Sequence, residues 1–261
     1  MHDLVDQAIK AVIQAGVVIL QHYRQDIDVE IKSDGSPLTA ADQAAHSIIA
    51  EFLADSQIIM VSEESEELHL DVDRYWIVDP LDGTKDFLAG NDEFTINIAL
   101  IEQNMPVLGV VYVPAIGELY WGAKGIGAWR DRNGELQELQ PIARVSATRM
   151  AVSRFHDHPD IDVFAEKNSV VERVAVVSAL KYGLLAAGEV DVFPRLVGSS
   201  EWDTAAGQAV LEAAGGQVLE WHTGQPLQYG KANRRNPRLL SLRSPYSRDE
   251  FVLKQYGNEL L

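Results

Sequence analysis

Trp76-Ile77-Val78-Asp79-Pro80-Leu81-Asp82-Gly83-Thr84-Lys85-Asp86-Phe87 is the stretch on which both fold and chemistry turn. Tyr75 to Val78 is aromatic and β-branched, a composition suited to a buried strand. The strand is expected to stop at Asp79-Pro80, because proline brings no N–H to a ladder. Asp79 and Asp82 stand three residues apart, with Gly83 and Thr84 behind them. A strand end of this kind can aim both carboxylates and the Leu81 carbonyl into one small volume. Oxygen ligands converging in that way suit a hard cation such as Mg2+. The same residue types also make an ordinary polar β-turn, and the hexad by itself does not separate the two readings.

Ahead of this stretch, Leu4 to Tyr23 has the spacing of an amphipathic helix, with Leu4, Ala8, Ala11, Ala15, Val18 and His22 along one side. Val29 to Lys32 suggests a short strand, followed by a polar break at Ser33-Asp34-Gly35-Ser36-Pro37. Thr39 fits the N-cap of a second helix running to about Leu53, with Ala44, Ile48, Ile49 and Phe52 on its apolar face. Ile58 to Val61 reads as a buried strand leading into Ser62-Glu63-Glu64-Ser65. Beyond the focal stretch, Phe94 to Glu102, Val107 to Val113 and Glu118 to Trp121 read as an antiparallel meander. Asn104, Pro114 and Gly122 to Gly127 interrupt it, and Arg130 to Glu138 reads as a polar turn.

The pattern changes near Pro141 to Thr148, which divides the chain into an N-terminal α+β part, residues 1–145, and a C-terminal α/β part, residues 146–261. In the second part Ala151 to Ser153, Val174 to Val177, Val190 to Pro194, Val218 to Glu220 and Leu239 to Leu242 read as strands. Helices are expected around Ile161 to Asn168, Leu180 to Gly188, Asp203 to Ala214 and Ser247 to Tyr256, the third closed by Gly215-Gly216.

Apolar residues make up 46% of the 261, enough for a sizeable core. Lys and Arg total 22 against 39 Asp and Glu, a formal net charge of −17. So acidic a chain repels nucleic-acid polymers. A small anionic substrate remains compatible with it where bound metal reverses the local sign. The chain has no cysteine, which excludes disulfides, thiolate metal sites and cysteine nucleophiles. No transmembrane segment or signal peptide is expected, since Ala11 to Leu20 is only about half the length of a membrane span.

Acids recur at abrupt structural transitions. Asp42 falls in the first turn of the second helix, Glu63 and Glu64 at one strand end, Asp79 and Asp82 at the next, and Asp203 at a helix start. Acids in a first helical turn are favoured by the macrodipole, so Asp42 and Asp203 each have a structural reading too. Their joint placement at element ends, where sites are commonly built, favours a metal site.

Asp79-Pro-Leu-Asp-Gly-Thr-Lys-Asp-Phe87 resembles the first signature of the inositol monophosphatase family, magnesium-dependent and lithium-sensitive phosphatases. Trp202-Asp-Thr-Ala-Ala-Gly207 followed by Glu212-Ala-Ala-Gly-Gly216 resembles the second. Ser62-Glu-Glu-Ser65 and Thr39-Ala-Ala-Asp42 are similar to two further family motifs, in the same order. Within the family, Ser36 to His46, Glu93 to Ile101 and Gly109 to Pro114 look most like the CysQ-type branch of 3'(2'),5'-bisphosphate nucleotidases. Lys85-Asp86 after the threonine points the same way.

The resemblance implies the layered αβαβα sugar-phosphatase fold and two or three Mg2+ ions. It places metal ligands on Glu63, Asp79, the Leu81 carbonyl, Asp82 and Asp203, with Glu64 behind Glu63. It implies that Asp42 and Thr84 orient and deprotonate the attacking water, and that the N–H groups of Gly83 and Thr84 hold the scissile phosphate. Substrate would therefore meet Glu63, Leu81, Asp82, Gly83, Thr84 and Asp203, with Lys181 and then Arg195 as candidates for a second phosphate. Val177-Ser178-Ala179 departs from the Gly-Ser turn that relatives carry before the lysine, and Arg154-Phe155-His156 matches its branch only in part. His156, His158 and the other histidines are expected at the surface or at caps.

The implied reaction removes the 3'-phosphate of adenosine 3',5'-bisphosphate, and the branch also acts on the sulfated form of that nucleotide. Inositol monophosphate or fructose 1,6-bisphosphate as substrate is the alternative within the same chemistry. A non-catalytic phosphate-binding regulatory protein is the alternative outside it. The resemblance implies a cytoplasmic enzyme, with peripheral inner-membrane association left open, and admits a monomer or a homodimer.

Overall fold

The computed structural model describes residues 1–25, 29–31, 37–65, 72–145, 147–154 and 158–254. Lys32, Ser33 to Ser36, Phe155, His156 and residues 255–256 of the expected last helix lie outside them.

Helix α1 (His2–His22) is followed by the antiparallel pair β1 (Val29–Ile31) and β2 (Pro37–Thr39), then by helix α2 (Ala40–Ala54). Strands β3 (Met60–Ser62) and β4 (Arg74–Asp82) come next, then the short helix α3 (Thr84–Leu88). The meander follows as β5 (Thr95–Glu102), β6 (Met105–Val113), β7 (Glu118–Ala123), β8 (Gly127–Arg132) and β9 (Glu135–Leu139). Strand β10 (Thr148–Ser153), helix α4 (Asp160–Lys167), strand β11 (Val170–Val176) and helix α5 (Leu180–Ala186) open the second part. It closes with β12 (Val192–Arg195), β13 (Ser199–Ser200), helix α6 (Ala205–Ala213), β14 (Gln217–Glu220), β15 (Arg235–Asn236) and β16 (Leu239–Leu242).

Seven strands form one sheet in sequence order from β3 to β9, with only β3 and β4 parallel. A five-stranded sheet runs β11-β10-β12-β16-β14. Three apolar clusters fill the gaps between layers. One packs Val5, Ala8, Ala15, Ala41, Ala45 and Ile49 of α1 and α2 on Trp76, Val78 and Ile98 of the large sheet. The second packs Tyr182, Leu185, Ala206 and Val210 of α5 and α6 between Tyr75, Ile77 and Val111 on one side and Phe193 and Leu239 on the other. The third packs Ile161 and Phe164 of α4 on Met150, Val192 and Leu240. The layers therefore run αβαβα. Helices on both faces of the large sheet explain why β5 is buried along nearly its whole length and reads as a continuous apolar run.

Thr39 caps α2 as expected, closing a capping box with Asp42. The other differences from the sequence reading have local causes. Strand β4 continues through Pro80, because its register against β5 shifts between Asp79 and Asp82 and the missing N–H falls in that bulge. Arg130 to Glu138 is not a turn but the facing strands β8 and β9; β9 is a mostly exposed edge, where charge is normal. On α1 the buried stripe is Val5, Ala8, Ala11, Val12, Ala15, Gly16 and Ile19, leaving Leu4, Val18 and His22 at its margin. On α2 it is Ala41, Ala45, Ile49 and Leu53, with Ala44, Ile48 and Phe52 half-buried. Past Ser247, among the described residues, only a 3-10 turn at Arg248–Glu250 forms. Phe251 is already extended, and at Val252 the Asn168 side chain takes both the N–H (2.6 Å) and the carbonyl (3.1 Å), in place of helical partners.

Helix α6 lies unusually close to the large sheet. A Cβ on Gly109 would stand 2.2 Å from the Ala206 carbonyl oxygen and 2.8 Å from the Ala209 Cβ. Alanines on the helix facing glycine on the strand thus set the height at which Asp203, just ahead of α6, is held. Gly109→Val is expected to lift the helix and destabilise the protein by about 1–3 kcal/mol, as overpacking does. Urea unfolding measures this, and an unchanged midpoint would refute the close-approach account.

Candidate active site

The parallel pairing of β3 with β4 brings two strand ends together. The Glu63 N–H donates to the Val78 carbonyl at 3.1 Å, which extends the pairing and sets Glu63 beside Asp79. Asp79 is 1% exposed. The bulge after it turns the chain, so that the Leu81 N–H folds back onto Asp79 Oδ1 at 3.1 Å. The Leu81 carbonyl accepts from Thr84 Oγ1 at 3.2 Å. Gly83, at φ 90°, sits in the left-handed region as the residue before α3. A side chain there would also strike Ser178 Oγ, 2.4 Å from the Cβ position.

Asp42 is buried. Its Oδ2 accepts from the Thr39 N–H at 2.8 Å and the Thr39 hydroxyl at 2.6 Å. Its Oδ1 faces the Thr84 hydroxyl across a long 3.4 Å contact. The cap of α2 and the start of α3 therefore meet at one hydroxyl–carboxylate pair. The structural and functional readings of Asp42 are compatible: the cap fixes one oxygen and leaves the other toward Thr84.

Asp82 is held from two directions. Asn97 Nδ2 (3.2 Å) and Thr95 Oγ1 (3.4 Å) reach its Oδ2 from β5. The Ala179 N–H donates to the same oxygen at 2.8 Å, and Ser178 Oγ donates to the Asp82 carbonyl at 2.9 Å. Thr95 and Asn97 escaped the sequence reading, although two polar residues spaced by two in an apolar strand are a usable signal. In the turn that lacks the expected glycine, the left-handed residue is Ser178, at φ 54°, not Val177. The Val177 N–H is taken instead by Glu93 Oε2 at 3.1 Å.

Asp203 precedes α6 rather than lying in its first turn, and its Oδ2 accepts the Ser200 N–H at 3.0 Å. Its segment is locked by Glu201, fully buried, whose carboxylate takes Lys231 Nζ at 2.9 Å and Arg234 Nη1 at 3.1 Å. Arg195 Nη2 lies 3.6 Å from Asp203, and the buried Arg195 Nε has no hydrogen-bond partner among the described residues. Lys181 points inward rather than to solvent. It is 1% exposed, donates from Nζ to the Ser178 carbonyl at 3.2 Å, and lies over the Phe193 ring. His158 stands just ahead of the Pro159 N-cap of α4, its Nδ1 accepting the Asp160 N–H at 3.1 Å.

Electrostatics tie the acids together. Burial pushes the Asp79 carboxyl well above the ordinary range, and the charges of Glu63, Asp82, Asp203 and Asp42 push it further. Asp203 is pushed up to about 7, first by burial and then by Asp82 and Glu63, with Arg195 opposing. Among the described residues the acids surround Asp79 without closing into a ready-made cage of three. Asp42, Asp79, Asp82 and Asp203 each hold one backbone N–H instead. Such a bond orients a carboxylate while leaving most of its acceptor capacity open.

The family model described as the inositol monophosphatase family matches residues 1–247. The 3'(2'),5'-bisphosphate nucleotidase CysQ of Escherichia coli O6:H1 is 39% identical over 233 residues, 87% of this chain and 94% of that protein. A crystal structure of CysQ from Bacteroides thetaiotaomicron superposes with a TM-score of 0.82 at 32% identity, covering 94% of this chain and 98% of that one. The extragenic suppressor protein suhB from Bartonella henselae follows at 0.78 and 27%, covering 93% and 94%. Joined to the layered fold and the acids gathered on Asp79, this likeness has one meaning: the chain belongs to the inositol monophosphatase family.

Proposed function

We propose that this protein is a Mg2+-dependent phosphomonoesterase that removes the 3'-phosphate of adenosine 3',5'-bisphosphate, giving AMP and phosphate. The observation that carries the chemistry is the gathering of Asp42, Glu63, Asp82 and Asp203 around buried Asp79, beside the Thr84 hydroxyl. Likeness to CysQ over most of both chains supports the nucleotide substrate. The acidic chain and the absence, among the described residues, of a helix long and apolar enough to cross a membrane are consistent with a cytoplasmic enzyme acting on a small ester.

The donor set fits a hard cation, because it offers only carboxylate and carbonyl oxygens and an uncompensated excess of negative charge. Glu63, Asp79, the Leu81 carbonyl, Asp82 and Asp203 would hold the ions. Bound Mg2+ supplies positive charge to the phosphate oxygens and makes water a better proton donor. The protein's own part is positioning and proton transfer. The Thr84 hydroxyl, shared between the Leu81 carbonyl and Asp42 Oδ1, can accept a proton from the attacking water while passing its own to Asp42. The N–H groups of Gly83 and Thr84, at the start of α3, would orient the phosphate. Arg195, partly exposed and with its guanidinium beside Asp203, is the better candidate to host the second phosphate. Lys181 braces the Ser178 turn that holds Asp82, and so bears on substrate through that turn.

Asp82→Asn keeps the shape but removes a charge, and kcat should fall by about a thousandfold or more, several kcal/mol of stabilisation. Near-normal turnover in a folded variant would sink the assignment. Phosphate release from adenosine 3',5'-bisphosphate, inositol 1-phosphate and fructose 1,6-bisphosphate, assayed in parallel, should give the highest kcat/KM for the nucleotide. A sugar ester in first place would overturn the substrate, and release indifferent to Mg2+ the mechanism. Without Mg2+ the raised carboxyls bind protons in the folded state that the unfolded chain has released. Stability should therefore fall as pH rises from the ordinary carboxylate range, about 4, to about 7. Saturating Mg2+ should flatten that slope in urea titrations, and identical slopes would count against metal at these acids.

A further inference from the structure

A cavity of about 340 Å3 opens at the end of α6 remote from Asp203. Its walls include Met105 and Pro106 at the start of β6, Lys124 just after β7, and Ala209, Glu212 and Ala213 of α6. None of these residues belongs to the acid cluster, and the volume is in the range of small-molecule sites. Two charges of opposite sign stand in an otherwise apolar lining. Gln208 Nε2 donates to Glu212 Oε1 at 2.8 Å, and no second donor from the described residues meets this carboxylate. The Lys124 ammonium makes no hydrogen bond or ion pair among the described residues. Burial raises the Glu212 pKa, while Gln208 and the Lys124 charge oppose the rise.

From Glu212 a hydrogen-bonded chain runs the length of α6 to the acid cluster. Gln208 Oε1 accepts from the Tyr229 hydroxyl at 2.7 Å, and that hydroxyl lies 3.1 Å from Thr204 Oγ1. Asn236 Nδ2 donates to Thr204 Oγ1 at 3.0 Å and to the Ser200 carbonyl at 2.6 Å. The Ser200 N–H donates to Asp203 Oδ2 at 3.0 Å. Gln208, Tyr229, Thr204 and Asn236 are all buried. A change at one link therefore cannot be absorbed by water and is passed to the next.

We propose that this cavity binds a small zwitterion with an apolar body, a free aliphatic amino acid, and that its occupancy is transmitted to Asp203 through the buried chain. The ammonium of the ligand meets Glu212, where partial burial strengthens a charge-assisted bond. Its carboxylate meets Lys124, and its side chain lies against Met105, Pro106, Ala209 and Ala213. Met105 gives the wall some adaptability. Engaging Glu212 alters the acceptor presented to Gln208, the first link of the chain. The coupling, though not the binding, rests on the Mg2+ reading above, and linkage requires it to act equally in both directions.

Calorimetry of the full chain with L-leucine in the absence of Mg2+ tests the binding. Saturable heat is expected, with affinity lowered by about tenfold or more in Glu212→Gln and in Lys124→Met. Isocaproate, lacking the ammonium, and isoamylamine, lacking the carboxylate, should each bind correspondingly more weakly. Mg2+ titrations with and without leucine should then differ in Kd by about threefold or more. Tyr229→Phe, if folded, should shrink that difference without abolishing leucine binding. Absence of saturable leucine heat, or equal binding by both charge variants, overturns the site. Leucine binding that leaves Mg2+ affinity unchanged overturns the coupled site. Failure of Mg2+ to bind at all defeats the metal reading and, with it, the coupling, while the leucine result stands by itself.

Discussion

Like charges held close together in a buried place are the constraint to which the rest of this protein answers. Asp79 sits fully enclosed at the end of β4, within the fields of Glu63, Asp82, Asp203 and Asp42. Left to themselves such groups separate, protonate or recruit a cation. The pairing of β3 with β4 and the Ala179 N–H bond to Asp82 join the segments that carry them, while local backbone N–H groups orient Asp42, Asp79 and Asp203. What remains is a cluster of like charges whose electrostatic cost a hard cation would lower, and on the proposed reading the strain of assembling the acids would become affinity for metal.

Holding Asp203 in that group is the task of α6 and the segment before it. The helix rests on Gly109 through its own alanines, which fixes its height over the sheet. Ahead of it, Glu201 clamps Lys231 and Arg234, and Asn236 bonds Ser200 and Thr204. A fully buried glutamate with two cations adds little stability when compared with apolar packing. Here it fixes the backbone that aims Asp203.

Much of the architecture was legible because helices cover both faces of the large sheet, so its strands stand out as apolar runs. The limits of that legibility are equally physical. Pro80 argued for the end of a strand, yet a one-residue bulge let the strand pass. Arg130 to Glu138 looked like a loop because an edge strand facing water carries the same residues as a turn. At the site, the spacing of Asp79, Asp82 and Thr84 was readable as chemistry, whereas their partnership with Asp42 and Asp203 came from motif resemblance. Thr95 and Asn97 left a readable trace as polar residues in an apolar strand, whereas the Ala179 N–H was silent, since a backbone donor has no letter of its own. The inward turn of Lys181 was equally hidden, because burial of a single lysine follows from the packing of α5 and not from its neighbours in sequence.

The bond from the Ala179 N–H to Asp82 spans 97 residues. It makes the candidate site a product of completion. A growing chain that has emerged as far as the meander already carries four of the five acids, but neither the turn that steadies Asp82 nor Asp203. On the proposed reading, tight metal capture would wait for the last third of the polypeptide. A nascent half-chain would then lack the arrangement that closes around an ion, and a product truncated before Ala179 would lack both the donor to Asp82 and Asp203.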